Sequence, residues 1–94
     1  MQTTFNMTRT TKADAEYKSR LYWQCRRGML ELDDLLQQFY KQSIDTLSEE
    51  QLASFEALLK SHDDLLLEYL MGRTIPVDAG MAEVVKRIRQ SSSV

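Results

Sequence analysis

Residues 14–40 read DAEYKSRLYWQCRRGMLELDDLLQQFY, and the spacing of apolar side chains in this stretch decides the fold. Tyr17, Leu21 and Cys25 recur at four-residue intervals, which puts them on one stripe of an α-helix. From Met29 onward, Leu32, Leu35, Leu36, Phe39 and Tyr40 keep the i, i+3, i+4, i+7, i+8 pattern of a second apolar face. One unbroken helix over residues 14–43 would span about 45 Å at 1.5 Å per residue, too long for a small compact domain. Gly28, the only glycine in the stretch, supplies the break, because glycine tolerates the positive φ found just past helix ends. Asp14 is the expected N-cap of the first helix. Arg26 and Arg27 then fall in its last turn, and Glu31, Asp33 and Asp34 in the opening turns of the second. Each carries the sign of charge that the helix dipole favours.

Further along, Ser48 and Gln51 have the spacing of a capping box, and Leu47 and Leu52 that of a hydrophobic staple around it. Leu52, Phe55, Leu58 and Leu59 form the buried face of this third helix. Asp63 or Asp64 is expected to cap a short fourth helix carrying Leu65, Leu66, Tyr69 and Leu70 inward, ended by Gly72 with Pro76 beyond. Asp78 caps a fifth, in which Met81, Val84, Val85 and Ile88 repeat at helical spacing. No stretch alternates with period two over a useful length. The fold class is therefore all-α, a small five-helix bundle over residues 13–90. The Thr-rich residues 1–12 and the Ser-rich residues 91–94 read as flexible tails.

Composition bounds what such a bundle does. A chain of 94 residues is one small domain, and 43% hydrophobic against 28% charged residues excludes wholesale disorder. No run approaches the ~18 apolar residues of a membrane span, and the N-terminus lacks the pattern of a secretory signal. One cysteine makes no internal disulfide, so a reducing, cytoplasmic setting is expected. A single histidine and a single cysteine also exclude a zinc site built from several such ligands. The net charge is −2 but unevenly spread. Residues 1–28 hold six basic and two acidic side chains, residues 29–72 two against ten, and residues 73–94 four against two. An acidic middle argues against a general nucleic-acid binder. Segregated charge can instead steer a protein partner, although most such residues are solvated helix faces.

Little in the chain resembles an enzyme's machinery. Ser61-His62-Asp63 has the residue types of a hydrolase triad, but contiguous residues on a helix connection cannot align as nucleophile, base and orienter. Cys25 shares its stripe with Tyr17 and Leu21 and reads as a buried thiol. Residues 22–33 are different, concentrating the only Trp, an Arg pair, a helix-breaking Gly and a Glu. Trp23 lies about 200° around the helix from Cys25, off the apolar stripe and partly exposed. A glycine there lets a partner's backbone approach, and an adjacent Arg can clamp a carboxylate or phosphate. Equally, Gly28 could be a cap only and Arg27–Glu31 a surface ion pair worth about 0–1 kcal/mol. From chemistry alone the two readings stand even.

The segment Arg27-Gly28-Met29-Leu30-Glu31 resembles the R-G-x-x-E motif of the small succinate dehydrogenase flavinylation factors, the SdhE-type FAD assembly factors. The resemblance runs through Trp23-x-Cys25-Arg26-Arg27-Gly28-Met29-x-Glu31-Leu32-Asp33. It resumes at Leu47-Ser48-Glu49-Glu50, Phe55, Leu58-Leu59, Asp63-Asp64-x-Leu66, Leu70-Met71 and Pro76, covering residues 15–90. Tyr69 departs from it, since several members have Trp there. The resemblance implies a five-helix, cytoplasmic bacterial factor, monomeric and chaperone-like, without an active site or stably bound cofactor of its own. Its partner would be the flavoprotein subunit of succinate dehydrogenase, or of fumarate reductase in some bacteria, and FAD would be the cofactor of that client. The implied binding face centres on Arg27, Gly28 and Glu31, with Trp23, Arg26 and Asp33 around it. Two other readings remain at this point. One is an antitoxin-like regulator. The other is a helical nucleic-acid module using Arg26, Arg27 and the Lys86–Arg89 stretch.

Overall fold

The computed structural model describes residues 15–92. Five α-helices follow one another: α1 (Ala15–Gln24), α2 (Leu30–Ser43), α3 (Glu49–Leu59), α4 (Asp63–Leu70) and α5 (Ala79–Ser92). A 3₁₀ turn, Ile44–Thr46, extends α2. Among the described residues there is no β-strand, and no helix is long and apolar enough to cross a membrane. The proposed Asp14 cap and the tail 1–12 lie outside the described residues.

Helix α5 packs against α2, α3 and α4, and α2 also against α4, around one core. Tyr17, Leu21 and Cys25 of the first apolar stripe are buried there with Leu32, Leu36 and Phe39 of the second. Leu52, Phe55, Leu58 and Leu59 come from α3, Leu66 and Leu70 from α4, and Val84, Val85 and Ile88 from α5. Phe39 and Phe55 meet edge to face at 5.4 Å and join α2 to α3. Helix α1 is tied on by polar contacts at its rim. The Tyr17 hydroxyl donates to Glu56 Oε1 (2.9 Å), the Tyr40 hydroxyl donates to the Lys18 carbonyl (2.9 Å), and Lys18 Nζ meets Asp45 (2.7 Å). Burial and the Glu56 carboxylate push the Tyr17 phenol up to about 12.

The expected caps of α3 and α5 are present. The Gln51 amide donates to Ser48 Oγ while Ser48 N–H donates to Gln51 Oε1, and the Met81 amide donates to Asp78 Oδ1. Helix α4 differs from expectation in two ways. Its N-cap is His62, and Asp63 is already its first helical residue, because the Asp63 carboxylate is drawn to an arginine described below. Leu65 is exposed, since a helix of eight residues in the corner of the bundle turns only Leu66 and Leu70 fully into the core. At the other end of the chain, Ser91 and Ser92 continue α5 rather than belonging to a tail, and Ser91 Oγ donates to the Ile88 carbonyl.

Candidate functional site

The connection between α1 and α2 is where the sequence concentrates its unusual residues. Helix α1 stops at Gln24, and the Arg26 amide makes only a tighter, 3₁₀-type bond to the Trp23 carbonyl. Arg26 and Arg27 therefore lie beyond the helix and not in its last turn. The expected complement to the dipole is met differently, because Arg27 Nη1 folds back to donate to the Gln24 carbonyl (2.8 Å). Gly28 follows with φ +84°, in the left-handed region, and a Cβ built on it would meet nothing within 4 Å among the described residues. The break is thus required by the backbone, and the space beside it is open.

Arg27 is the hub of this loop. Besides Gln24, its guanidinium donates to the Leu59 carbonyl (Nη1, 2.9 Å), the Ser61 carbonyl (Nη2, 2.8 Å) and Asp63 Oδ1 (Nε, 2.8 Å). Its side chain is only 15% exposed. Four of five guanidinium N–H groups are thereby engaged, leaving one on Nη2 without an acceptor among the described residues. The Arg27 backbone N–H is held separately by Asp33 Oδ1 at 2.6 Å. Arg27 pairs with Asp63 and not with Glu31, so the surface ion pair considered from sequence is not formed. Its guanidinium also forms one wall of an open cleft of about 450 Å³ bounded by Lys60–Asp64.

The other candidate residues face outward. Trp23 is 62% exposed, packs edge to face on Tyr22 and carries the Arg26 guanidinium against its ring at 5.4 Å. Glu31, in the first turn of α2, is exposed and makes no hydrogen bond or ion pair among the described residues. Leu30, at 75% exposure, adds an apolar side chain that sequence reasoning missed. Its signal was available, since Leu30 is out of phase with the stripe begun by Leu32. Of the six residues singled out, Trp23, Arg26, Gly28 and Glu31 thus lie open, while Arg27 and Asp33 form the loop's internal frame. Beneath them the Cys25 thiol is fully buried, and desolvation pushes it up to about 12 against the opposing pull of Arg27. It is a packing residue without a reactive thiolate. Among the described residues, no group of three or more His, Cys, Asp or Glu is placed to hold a metal ion.

The family model described as flavinator of succinate dehydrogenase matches residues 19–92, which include this loop, the second half of α1 and all of α2 to α5. The chain belongs to the succinate dehydrogenase flavinator family. A FAD assembly factor SdhE of Legionella pneumophila (strain Paris) is 50% identical over 76 residues, covering 81% of this chain and 95% of the relative. The same-named protein of Vibrio cholerae is 42% identical over 74 residues, 79% of this chain and 86% of the relative. That of Coxiella burnetii is 38% identical over 74 residues, 79% and 90% of the two chains. The resemblance read from Arg27-Gly28-x-x-Glu31 is therefore a family membership, and within this flavinator the motif occupies an exposed, internally braced helix connection.

Proposed function

We propose that the α1–α2 connection docks on the flavoprotein subunit of succinate dehydrogenase and holds it in the arrangement in which FAD becomes covalently attached. As a member of the flavinator family, the chain is an assembly factor for flavinylation, not an enzyme in its own right. The observation that carries the docking reading is Gly28, a left-handed residue with open space where a side chain would stand, between exposed Trp23 and exposed Leu30 and Glu31. A client backbone can come close at Gly28 while the indole, Arg26 and the Glu31 carboxylate supply side-chain contacts. Arg27 and Asp33 keep those groups in register. The factor acts by positioning, because holding two reacting partners in the right geometry lowers a barrier without contributing a catalytic group.

FAD is read as the cofactor of the client. A flavin pyrophosphate is held by a glycine-rich turn at the start of a helix, whereas the loop here has a single glycine and an exposed aromatic–aliphatic face, which suits a protein surface. The proposal extends to the flavoprotein subunit of fumarate reductase, and to a monomeric factor working in the bacterial cytoplasm. Its test is coexpression of the flavoprotein subunit with each variant and reading of covalent flavin by in-gel fluorescence. Gly28→Arg and Glu31→Ala are expected to lower the flavin signal while far-ultraviolet circular dichroism stays helical. Normal flavin attachment with both variants overturns the docking surface.

A further inference from the structure

We propose that Asp63, at the start of α4, is a positioning residue for the Arg27-Gly28 loop, fixing the Arg27 guanidinium and through it the shape that the loop presents. This rests on the loop being the docking surface. Cys25 and Arg26 still bond back to the Leu21 and Trp23 carbonyls, but past them no helical hydrogen-bond ladder among the described residues holds Arg27 and Gly28. Two carboxylates anchor them instead. Asp33 grips the Arg27 backbone from six residues downstream, and Asp63 grips its side chain from 36 residues away.

The four acceptors of the guanidinium are not equivalent. Gln24, Leu59 and Ser61 offer neutral carbonyls, and Asp63 alone offers a negative charge. A largely buried cation is stable where a counter-charge meets it, and bonds to charged acceptors are the stronger ones. The guanidinium is planar and rigid, so a carboxylate on Nε together with carbonyls on both Nη atoms leaves it one orientation. That orientation ties the end of α1 to the α3–α4 corner, and Gly28 is the next residue along the chain. Asp64 provides an internal control. It is a neighbouring carboxylate in the same cleft, more exposed, with no hydrogen bond to Arg27.

The experiment measures binding of the purified apo flavoprotein subunit, and covalent flavin yield, for Asp63→Asn, Asp64→Asn, Arg27→Gln, the Arg27→Gln/Asp63→Asn double variant and Gly28→Arg. Asp63→Asn is expected to weaken binding about tenfold and Asp64→Asn less than about twofold. In the Arg27→Gln background Asp63→Asn should add less than about twofold, because a residue acting through Arg27 has nothing left to act on. A spectroscopic signature accompanies this: the Arg27 Nε–H exchanges slowly with water in the wild type and rapidly in Asp63→Asn. Unchanged binding by Asp63→Asn overturns the role, as does an equal loss with Asp64→Asn or a full tenfold addition in the double variant. Should Asp63→Asn fail to fold, the wild-type spectrum decides, slow exchange of the Arg27 Nε–H supporting the assignment and rapid exchange overturning it. Normal binding by Gly28→Arg instead brings down the docking surface itself. An impaired Gly28→Arg beside an unaffected Asp63→Asn removes only the positioning role.

Discussion

Gly28 and Gly72 both stand just beyond helix ends with left-handed backbones, at φ +84° and +78°, yet the space around them differs. Past α4 the ending is closed. The Gly72 amide donates to the Tyr69 carbonyl and the Arg73 amide to the Glu68 carbonyl, the paired bonds of a Schellman motif. A Cβ on Gly72 would come within 2.6 Å of Arg89 Nη2, so the guanidinium of α5 covers the turn. Past α1 there is no such motif, and nothing among the described residues covers Gly28. One glycine serves the packing of its own domain. The other stands on an open surface, and its frame comes from arginine and aspartate side chains instead of backbone bonds.

The sharpest way to break that contrast is a bulky residue at each site. Gly28→Arg should reduce covalent flavin in the coexpressed subunit more than about tenfold, a loss typical of disrupting the centre of an interface. Gly72→Arg should leave flavin attachment near normal below its melting temperature. Equal losses in the in-gel assay would erase the distinction. Next in size is an alkaline effect on the helix that feeds the open loop. Cys25 and Tyr17 both titrate higher in the folded state, to about 12, than their ordinary values of 9.0 and 10.0. The unfolded chain thus loses these protons first, so stability is fully present below about pH 9 and declines as pH rises towards 12. For Cys25 the slope is about 1.4 kcal/mol per pH unit in that window. Urea melts at pH 8, 9 and 10 should show the decline, and Cys25→Ala should flatten its first part; a wild-type curve flat across this range contradicts the buried thiol.

Smaller effects sharpen the comparison further. Gly72→Ala should cost about 1–2 kcal/mol from left-handed strain, plus whatever Arg89 loses in moving aside. Gly28→Ala should incur the strain alone. Thermal melts of the two variants therefore rank Gly72→Ala as the less stable, and the reverse order would mean that the Gly28 loop is more tightly enclosed than its open space implies. Smallest is Glu31→Ala, expected within about 0.5 kcal/mol of wild-type stability because the carboxylate is exposed and has no partner among the described residues. Its flavin yield is nevertheless expected to fall. Loss of stability without loss of flavin attachment would make Glu31 a helix-terminus charge and nothing more.

Much of the bundle was legible because its signals are local. The stripe of Tyr17, Leu21 and Cys25, the Ser48–Gln51 box and the Asp78 cap each depend on residues within one or two turns of one another. The break at Gly28 was legible for the same reason. Arg27 was not, since its acceptors at Leu59, Ser61 and Asp63 lie 32–36 residues away and no local pattern announces a side chain turning inward. Asp63 was misread as a cap because a first-turn aspartate and an N-cap aspartate look alike until the distant arginine is placed. Leu65 was misread because apolar character alone does not say which leucines of a short corner helix reach the core.

The Arg27–Asp63 contact also has a meaning in time. Contacts between distant residues form late, after the entropy of closing the intervening chain has been overcome by packing. Here the intervening chain is α2 and α3, so the contact exists only where those helices and the start of α4 have come together. A nascent or partly folded chain carries the motif's letters but not its shape. If this loop is the docking surface, as proposed, that surface is complete only on a folded molecule.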